Sequence, residues 1–205
     1  KLMKIQKLLE ALNELLDPEK FRDYCPNGLQ VQGKKEGKNI VCGVSASEAL
    51  INEAVKRDAD TIIVHHGYFW KNENPRIIGI KRTRIKKLLE HDINLIAYHL
   101  PLDANEKVGN NHELGRLLKL KDVTSLPDEP LVLQGEFDPP VTIEKLTDKL
   151  TEVLWRVPYV VPVDSPPSIR RVAFCSGAAQ DYLEKAADAG AQAYLSGEIS
   201  ERTVL

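Results

Sequence analysis

Residues 61–71, TIIVHHGYFWK, contain the pattern that decides the fold. The β-branched and apolar residues Thr61–Val64 predict a short buried strand. His65 and His66 follow, and Gly67 indicates that the strand has ended. Adjacent residues inside a strand point to opposite faces, so two neighbouring histidines can serve one site only if the strand has ended or if each faces its own metal ion.

The two histidines are a candidate metal site. Neutral imidazole is the commonest metal ligand in proteins, and sites in open α/β sheets gather beyond the carboxyl ends of strands. Two alternatives stay open at this point. His65 and His66 could be a surface pair, or one of them could be buried with its ring bonded to a backbone carbonyl.

The composition excludes several classes of protein. The chain has 205 residues, 42% hydrophobic and 28% charged, which is typical of a soluble globular protein with one large or two small domains. A net charge of -2 gives no overall attraction to nucleic acid or to a membrane, and no apolar run approaches the roughly 18 residues of a membrane span. The cysteines Cys25, Cys42 and Cys175 form no CxxC motif, so we expect reduced thiols and a cytoplasmic protein.

The quoted stretch completes a β-α-β unit. Ile40–Val44 predict the preceding strand, and Ser45–Ser47 supply the N-cap of the helix between the two strands. A helix at Arg84–Glu90 and a buried strand at Leu95–Tyr98 follow. Strands and helices therefore alternate, and we predict an α/β fold.

A second β-α-β unit is predicted in the last third of the chain, with strands at Val172–Cys175 and Ala193–Leu195. An offset of 132 residues aligns it with the first unit without a gap and lays Val41 on Ala173. Small, apolar and turn positions agree, but identities are few. A true duplication and a generic β-α-β likeness therefore both stay open.

The same offset suggests how the halves of the chain are related. It lays His66 on Glu198, each just past a predicted strand. If the two halves face each other, Glu198 approaches the histidine pair. The segment Lys121–Pro130, which contains Pro and Asp, is the predicted boundary, so we expect domains at residues 1–125 and 126–205.

A carboxylate is predicted near the histidines. The strand Leu95–Tyr98 should lie beside Thr61–Val64, and Asp103 follows it after a loop stiffened by Pro101. Two histidines and a carboxylate are a recurrent ligand set for Zn, Mn or non-haem Fe, although Asp103 could instead cap the loop. His99 could be a ligand, an acid or base, or a packed residue, and we assign it a nearby non-ligand role.

Two further segments have alternative interpretations. The aromatic run Tyr68–Trp70 could stack on a planar ring, or it could belong to the core or to a subunit interface. The basic run Lys81–Lys87 could attract the phosphates of a nucleotide or nucleic acid, or it could be a solvated helix face. The sequence has no Walker loop, no GxGxxG after a strand and no nucleophile elbow, so a serine hydrolase or a dinucleotide oxidoreductase is unsupported.

Four strings carry a resemblance to a known family. They are PNGLQVQG (26–33), VHHGYFWK (64–71), HLPLDAN (99–105) with GNN (109–111), and SGEISE (196–201). With these motifs in this order, the chain resembles the Nif-three-like family of dinuclear-metal proteins, often labelled GTP cyclohydrolase I type 2 homologues.

The resemblance implies an α/β fold of two related halves, with two divalent metal ions in a cleft between them, assembled as a toroidal homohexamer. His65, His66 and Asp103 match the family's metal ligands, and Glu198 matches a segment beside the site. The family completes its site with a His and a Glu in a later GHxxTE-like motif. The sequence stops at Leu205, before that motif, so we expect a truncated C-terminal part.

A two-metal centre suits hydrolysis, because the ions activate water and stabilise both the entering and the leaving oxygen. We therefore expect a metal-dependent hydrolase acting on a nucleotide-like or heterocyclic substrate, with Glu198 or His99 handling protons. The family label suggests opening of the guanine ring of GTP. The ion could be Zn, Fe, Mn, Ni or Co. The alternative is a non-enzymatic metal-binding scaffold or regulatory hexamer that acts through protein or DNA partners.

Overall fold

The strand that begins at Thr61 lies inside a four-stranded sheet, in the first of two units of the chain. The structure is a computed structural model that describes residues 2–161 and 168–204. Its units are Lys1–Leu102 and Asp103–Leu205. Each unit combines strands and helices, so the predicted α/β class is confirmed.

The first unit contains the elements on either side of the quoted stretch. Its strands are β1 (Met3–Lys4), β2 (Gly28–Val31), β3 (Glu36–Gly37), β4 (Ile40–Ser45), β5 (Thr61–His66) and β6 (Asn94–Ala97). Its helices are α1 (Ile5–Leu16), α2 (Glu48–Lys56) and α3 (Gly79–Glu90), with a 3-10 turn at Pro18–Lys20. A short helix, α4 (Leu100–Ala104), runs across the boundary of the two units.

The sheet of the first unit has the strand order β2-β6-β5-β4. Strands β4, β5 and β6 are parallel, and β2 is antiparallel to β6. The structure differs from the sequence prediction at the end of β5, which includes both histidines. The ladder between β5 and β6 ends at Val64, whereas pairing with β4 continues as far as His66. The two histidines are therefore the last two residues of β5 and lie beyond its last pair with β6.

A buried carboxylate, Asp60, connects the start of β5 with the segment just before β4, at the opposite end of this sheet. Asp60 accepts hydrogen bonds from the Lys34 ammonium (3.0 Å) and from the backbone N–H groups of Lys38 (2.9 Å) and Asn39 (3.1 Å). Burial would raise the pKa of Asp60, but these hydrogen bonds and the Lys34 charge outweigh it and hold the pKa below the ordinary 3.8. Ionised Asp60 therefore stabilises the folded state.

The substitution Asp60→Asn is expected to lower the free energy of unfolding at pH 7 by about 1–3 kcal/mol, because it removes a buried charge that three donors share. Since the folded pKa is lower than the unfolded one, this stabilisation is present above about pH 4 and is lost as the pH falls through the folded pKa. We would measure the free energy of unfolding of the unchanged protein and of Asp60→Asn in urea between pH 7 and pH 3. The two values should converge as the pH falls. The exposed Asp58→Asn is the matched control, and an equal loss in that variant would contradict the prediction.

The second unit contains a mixed sheet. Its strands are β7 (Lys121–Leu126), β8 (Glu129–Val141), β9 (Ile169–Cys175) and β10 (Ala193–Ser196), in the order β10-β9-β8-β7. Its helices are α5 (Asn110–Leu117), α6 (Ile143–Leu154), α7 (Leu183–Asp188) and α8 (Glu201–Val204), with a 3-10 turn at Gln180–Tyr182. Strands β9 and β10 are parallel, and the other two pairings are antiparallel. Gly109 occupies the N-cap of α5.

The boundary of the units also differs from the prediction. The expected linker Lys121–Pro130 is part of a β-hairpin in which Thr124 pairs with Gln134. Its turn contains Pro127 and Asp128, and Asp128 adopts a left-handed conformation with φ of 62°. Pro and Asp are common in tight turns as well as in linkers, so composition alone did not separate these two structures. The units divide instead between residues 102 and 103.

The two β-α-β units share their local structure. In the first, Val41 pairs with Ile62, and in the second the residues at the same offset, Ala173 and Tyr194, also pair. Helix α2 spans residues 48–56, and the corresponding residues 180–188 form the 3-10 turn and α7. The 132-residue offset inferred from the sequence therefore aligns a pair of neighbouring strand residues in the first unit with such a pair in the second.

Among the described residues, no helix is both long and apolar enough to cross a membrane.

Candidate metal centre

Three histidines of the first unit lie together at the end of the β5–β6 pair. One ligand nitrogen from each of His65, His66 and His99 lies within 4.8 Å of the others. Ring centroids are 4.4 Å apart for His65 and His66, 5.1 Å for His65 and His99, and 5.7 Å for His66 and His99. The two neighbouring histidines of β5 therefore serve one cluster, and His99 is part of it.

Hydrogen bonds fix the orientation of each ring. The Nδ1 atom of His65 lies 3.0 Å from the backbone oxygen of Tyr98, which can only accept a hydrogen bond. That of His99 lies 2.7 Å from Asp23, and that of His66 lies 3.3 Å from the Ser45 hydroxyl.

These contacts also select the tautomer. Because the acceptors of His65 and His99 require protonated Nδ1 atoms, the lone pair of each neutral ring is on Nε2. Metal-binding histidines are typically held in this way by a carbonyl or carboxylate on the second nitrogen. Imidazole donors suit Zn, Fe and Ni, so the donor set of the cluster fits a transition-metal ion.

Asp23 contacts the histidine cluster through His99, and the sequence interpretation missed it. Its carboxylate is 3% exposed and accepts hydrogen bonds from the His99 ring (2.7 Å), the Asn27 amide (3.0 Å) and the backbone N–H of Leu100 (2.8 Å). Burial would raise the pKa of Asp23, but these hydrogen bonds and one from the N–H of Tyr24 outweigh it and lower the pKa to about 2. Asp23 is therefore an anion that orients His99.

One potential metal-ligand atom from each of Asp23, Cys25 and His99 also lies within 4.8 Å of the other two. Burial and the nearby Asp23 charge raise the pKa of the Cys25 thiol to about 11, so it remains protonated at neutral pH. Both oxygens of Asp23 already accept hydrogen bonds. We therefore interpret this group as support for His99.

A glycine turn follows the two histidines. Gly67 packs so closely that an added Cβ would lie 2.1 Å from Oε1 of Gln30 and 2.8 Å from Cβ of Ala97. The Gln30 amide accepts the N–H of Tyr68 (2.7 Å) and donates to its carbonyl (3.1 Å). The string PNGLQVQG thus supplies a side chain that holds the backbone just after His66.

Asp103 belongs to the second unit. It is 9% exposed, and its Oδ1 atom accepts hydrogen bonds from the Asn110 amide (2.8 Å) and the Ser176 hydroxyl (3.3 Å). Asn111 accepts the backbone N–H of Ser176 at 2.7 Å and donates to the carbonyl of Leu131 at 2.9 Å. The two asparagines of the GNN string therefore support the surroundings of Asp103.

Glu198 also belongs to the second unit. It is exposed, two residues beyond the end of β10, and its backbone N–H donates to the Ser196 hydroxyl at 3.4 Å. Gly197 packs against the backbone of Gly177, where an added Cβ would lie 2.7 Å from the nitrogen. The backbone before Glu198 is thus tightly fixed. Its assigned role in proton transfer stays a prediction.

The comparisons agree with the motifs. A family model described as Duf34/NIF3 (NGG1p interacting factor 3) matches residues 3–205. A Pseudomonas aeruginosa protein called "GTP cyclohydrolase 1 type 2 homolog" is 46% identical over 203 residues, which cover 98% of this chain and 80% of that protein.

Solved structures give the same result. One, described as "protein ybgI, unknown function", has a TM-score of 0.95 and 46% identity over 98% of this chain and 81% of its own. Another, from Thermus thermophilus, has a TM-score of 0.88 and 32% identity, with the same coverage of both chains. The family model, the relatives and the fold agree, and the chain therefore belongs to the Duf34/NIF3 (NGG1p interacting factor 3) family.

Proposed function

We propose that the chain is a dinuclear divalent-metal protein that hydrolyses a nucleotide-like or heterocyclic substrate. His65, His66 and Asp103 are the proposed metal ligands, and His99 and Glu198 are the proposed proton-handling groups. Two ions per subunit, a homohexamer and a cytoplasmic location are parts of the same proposal. The label "GTP cyclohydrolase 1 type 2 homolog" on relatives supports a guanine nucleotide as the first substrate to test.

The observation that carries the proposal is the cluster of three imidazoles with ligand nitrogens within 4.8 Å of one another. Such rings would repel one another if all were protonated, whereas neutral rings with selected tautomers present nitrogen lone pairs to a cation. A bound divalent ion would supply Lewis acidity and lower the pKa of a nearby water molecule.

The chain's own residues would orient and transfer the proton. Nδ1 of the neutral His99 ring donates its hydrogen bond to Asp23 over an N···O distance of 2.7 Å, which leaves Nε2 able to accept a proton. His99 therefore has the geometry of a carboxylate-supported acid or base, and its position in the histidine cluster also allows it to bind metal.

One surface favours the alternative, a scaffold that acts through partners. Helix α3 and the residues before it expose Ile77, Ile78 and Ile80, at 52%, 58% and 67%. The charged residues Arg82, Lys86 and Glu90 line a shallow depression beside Ile77. An exposed apolar surface beside polar and charged residues is typical of protein-interaction sites. A protein without hydrolytic turnover that still binds metal would favour this scaffold function.

The proposal is tested by metal analysis and turnover on the same protein. The protein, including any residues that follow Leu205, is loaded with Zn²⁺, Mn²⁺ or Co²⁺, its metal content and oligomer mass are measured, and hydrolysis of GTP, phosphodiesters and cyclic amides is followed. We expect bound metal in the loaded protein and turnover that chelation removes and added metal restores. Bound metal without turnover would contradict the hydrolase, and the absence of bound metal would contradict the metal centre as well.

A further inference from the structure

The structure separates the three residues of the aromatic run. Tyr68 is a core residue, 6% exposed, and its hydroxyl donates to the carbonyl of Ala46 at 2.7 Å. Phe69 packs against the same core. Trp70 is half-buried, and its ring centroid lies 4.9 Å from that of His99 in an edge-on arrangement. Of the three aromatic residues, Trp70 is the one beside the histidine cluster.

The turn that carries Trp70 is strained and held in place. Phe69 has a φ of 65°, a left-handed conformation that is rare for a bulky side chain and that persists where surrounding contacts enforce it. Oε2 of Glu73 accepts the N–H groups of Phe69 (3.1 Å) and Trp70 (3.3 Å). The ammonium group of Lys81, whose side chain is 10% exposed, lies 3.1 Å from the same oxygen.

These contacts fix the backbone on both sides of Trp70, since its own carbonyl also accepts the N–H of Glu73 at 2.9 Å. The result is an indole on a fixed backbone; its ring lies 5.9 Å from the His66 ring, centroid to centroid, and is partly open to solvent. Strained backbone of this kind clusters at functional sites. An indole beside polar imidazoles offers an apolar face and a hydrogen-bond donor to a flat polar ligand.

We infer that Trp70 recognises a planar nitrogen heterocycle, such as a nucleobase, by stacking on it beside the histidine cluster. The inference rests on the proposed function and identifies the ring, rather than the phosphate, as the part of the substrate that the first unit recognises. Stacking between an aromatic side chain and a base tolerates different bases, because every base has a π-face. Trp70 therefore provides ring recognition without strict selection among purines and pyrimidines.

The chain has two tryptophans, and Trp155 is 95% exposed, so Trp155→Phe leaves Trp70 as the single fluorescent indole without disturbing packing. We would titrate this Zn²⁺-loaded variant with GTP, guanosine and tripolyphosphate. GTP and guanosine are expected to quench Trp70 emission saturably, whereas tripolyphosphate, which has no ring, should not. Guanosine binding is also measured by calorimetry in two variants of Trp70. Trp70→Leu should weaken it about tenfold, whereas Trp70→Phe, which keeps an aromatic ring, should retain most of the affinity.

The outcomes separate this inference from the proposed metal function. Equal quenching by tripolyphosphate, the absence of a guanosine effect, or unchanged guanosine affinity in Trp70→Leu would each overturn the stacking inference. Metal content is measured on the same samples. Bound Zn²⁺ without a guanosine response would overturn the stacking inference and leave the metal centre standing. Guanosine quenching in a chain that binds no metal would support stacking and overturn the proposed metal function.

Discussion

Replacing His65 with alanine is expected to lower the affinity of the chain for Co²⁺ at least about 100-fold and to remove metal-dependent turnover. Changes to groups that only support a ligand already cost about 10–100-fold in affinity, and His65 is one of three clustered donors. His66→Ala should have the same effect. The absorption bands of Co²⁺ provide the readout, because they report both the affinity and the number of nitrogen ligands.

His91→Ala is the matched control. His91 is an exposed histidine at the C-cap of α3, outside the cluster, so the same chemical change should leave the Co²⁺ titration unchanged. Asp103→Ala tests the carboxylate that the sequence assigns as a ligand, and an equal loss of affinity is expected there. Unchanged Co²⁺ binding in His65→Ala would show that the cluster is structural, with the ring of His65 bonded to the Tyr98 carbonyl for packing alone.

Much of the first unit could be predicted because its sequence signals are local. The β-branched run before His65 predicted β5, and the parallel neighbour β6 followed from the alternation of strands and helices. The predicted end of β5 before the histidines was wrong, since pairing continues to His66. Adjacent strand residues nevertheless meet in one cluster here, because the ladder with β6 stops at Val64.

The support of the site could not be predicted in the same way. Asp23 lies 76 residues before His99 in the sequence, and an aspartate just before the turn at Pro26–Gly28 resembles an ordinary turn residue. Its role depends on a contact that no local pattern encodes. The string PNGLQVQG did mark this region by resemblance, but the functions of Asn27 and Gln30 became visible only as hydrogen bonds to His99 and Tyr68.

The substitution Gly67→Ala is expected to lower the free energy of unfolding by about 2–4 kcal/mol, since it combines overpacking with a lost hydrogen bond. The added methyl group would lie 2.8 Å from Cβ of Ala97, which is fully buried in β6 and cannot move aside without the sheet. It would also displace the Gln30 amide, which holds Tyr68 at 2.7 Å. Metal affinity should fall too, because Gly67 directly follows His66. Urea unfolding and Co²⁺ titration measure the two effects.

Gly115→Ala is the matched control for this change. Gly115 is also buried, but an added Cβ there would meet its nearest neighbour, the ring of Phe174, at 3.3 Å, and alanine is the better helix former in α5. Its cost should therefore be at least about 1 kcal/mol smaller than that of Gly67→Ala. In a double-mutant cycle, Ala97→Gly should recover part of the loss in Gly67→Ala, because it removes the clashing methyl group. Strict additivity of the two substitutions would contradict this packing explanation and would assign the loss to the displaced Gln30 amide.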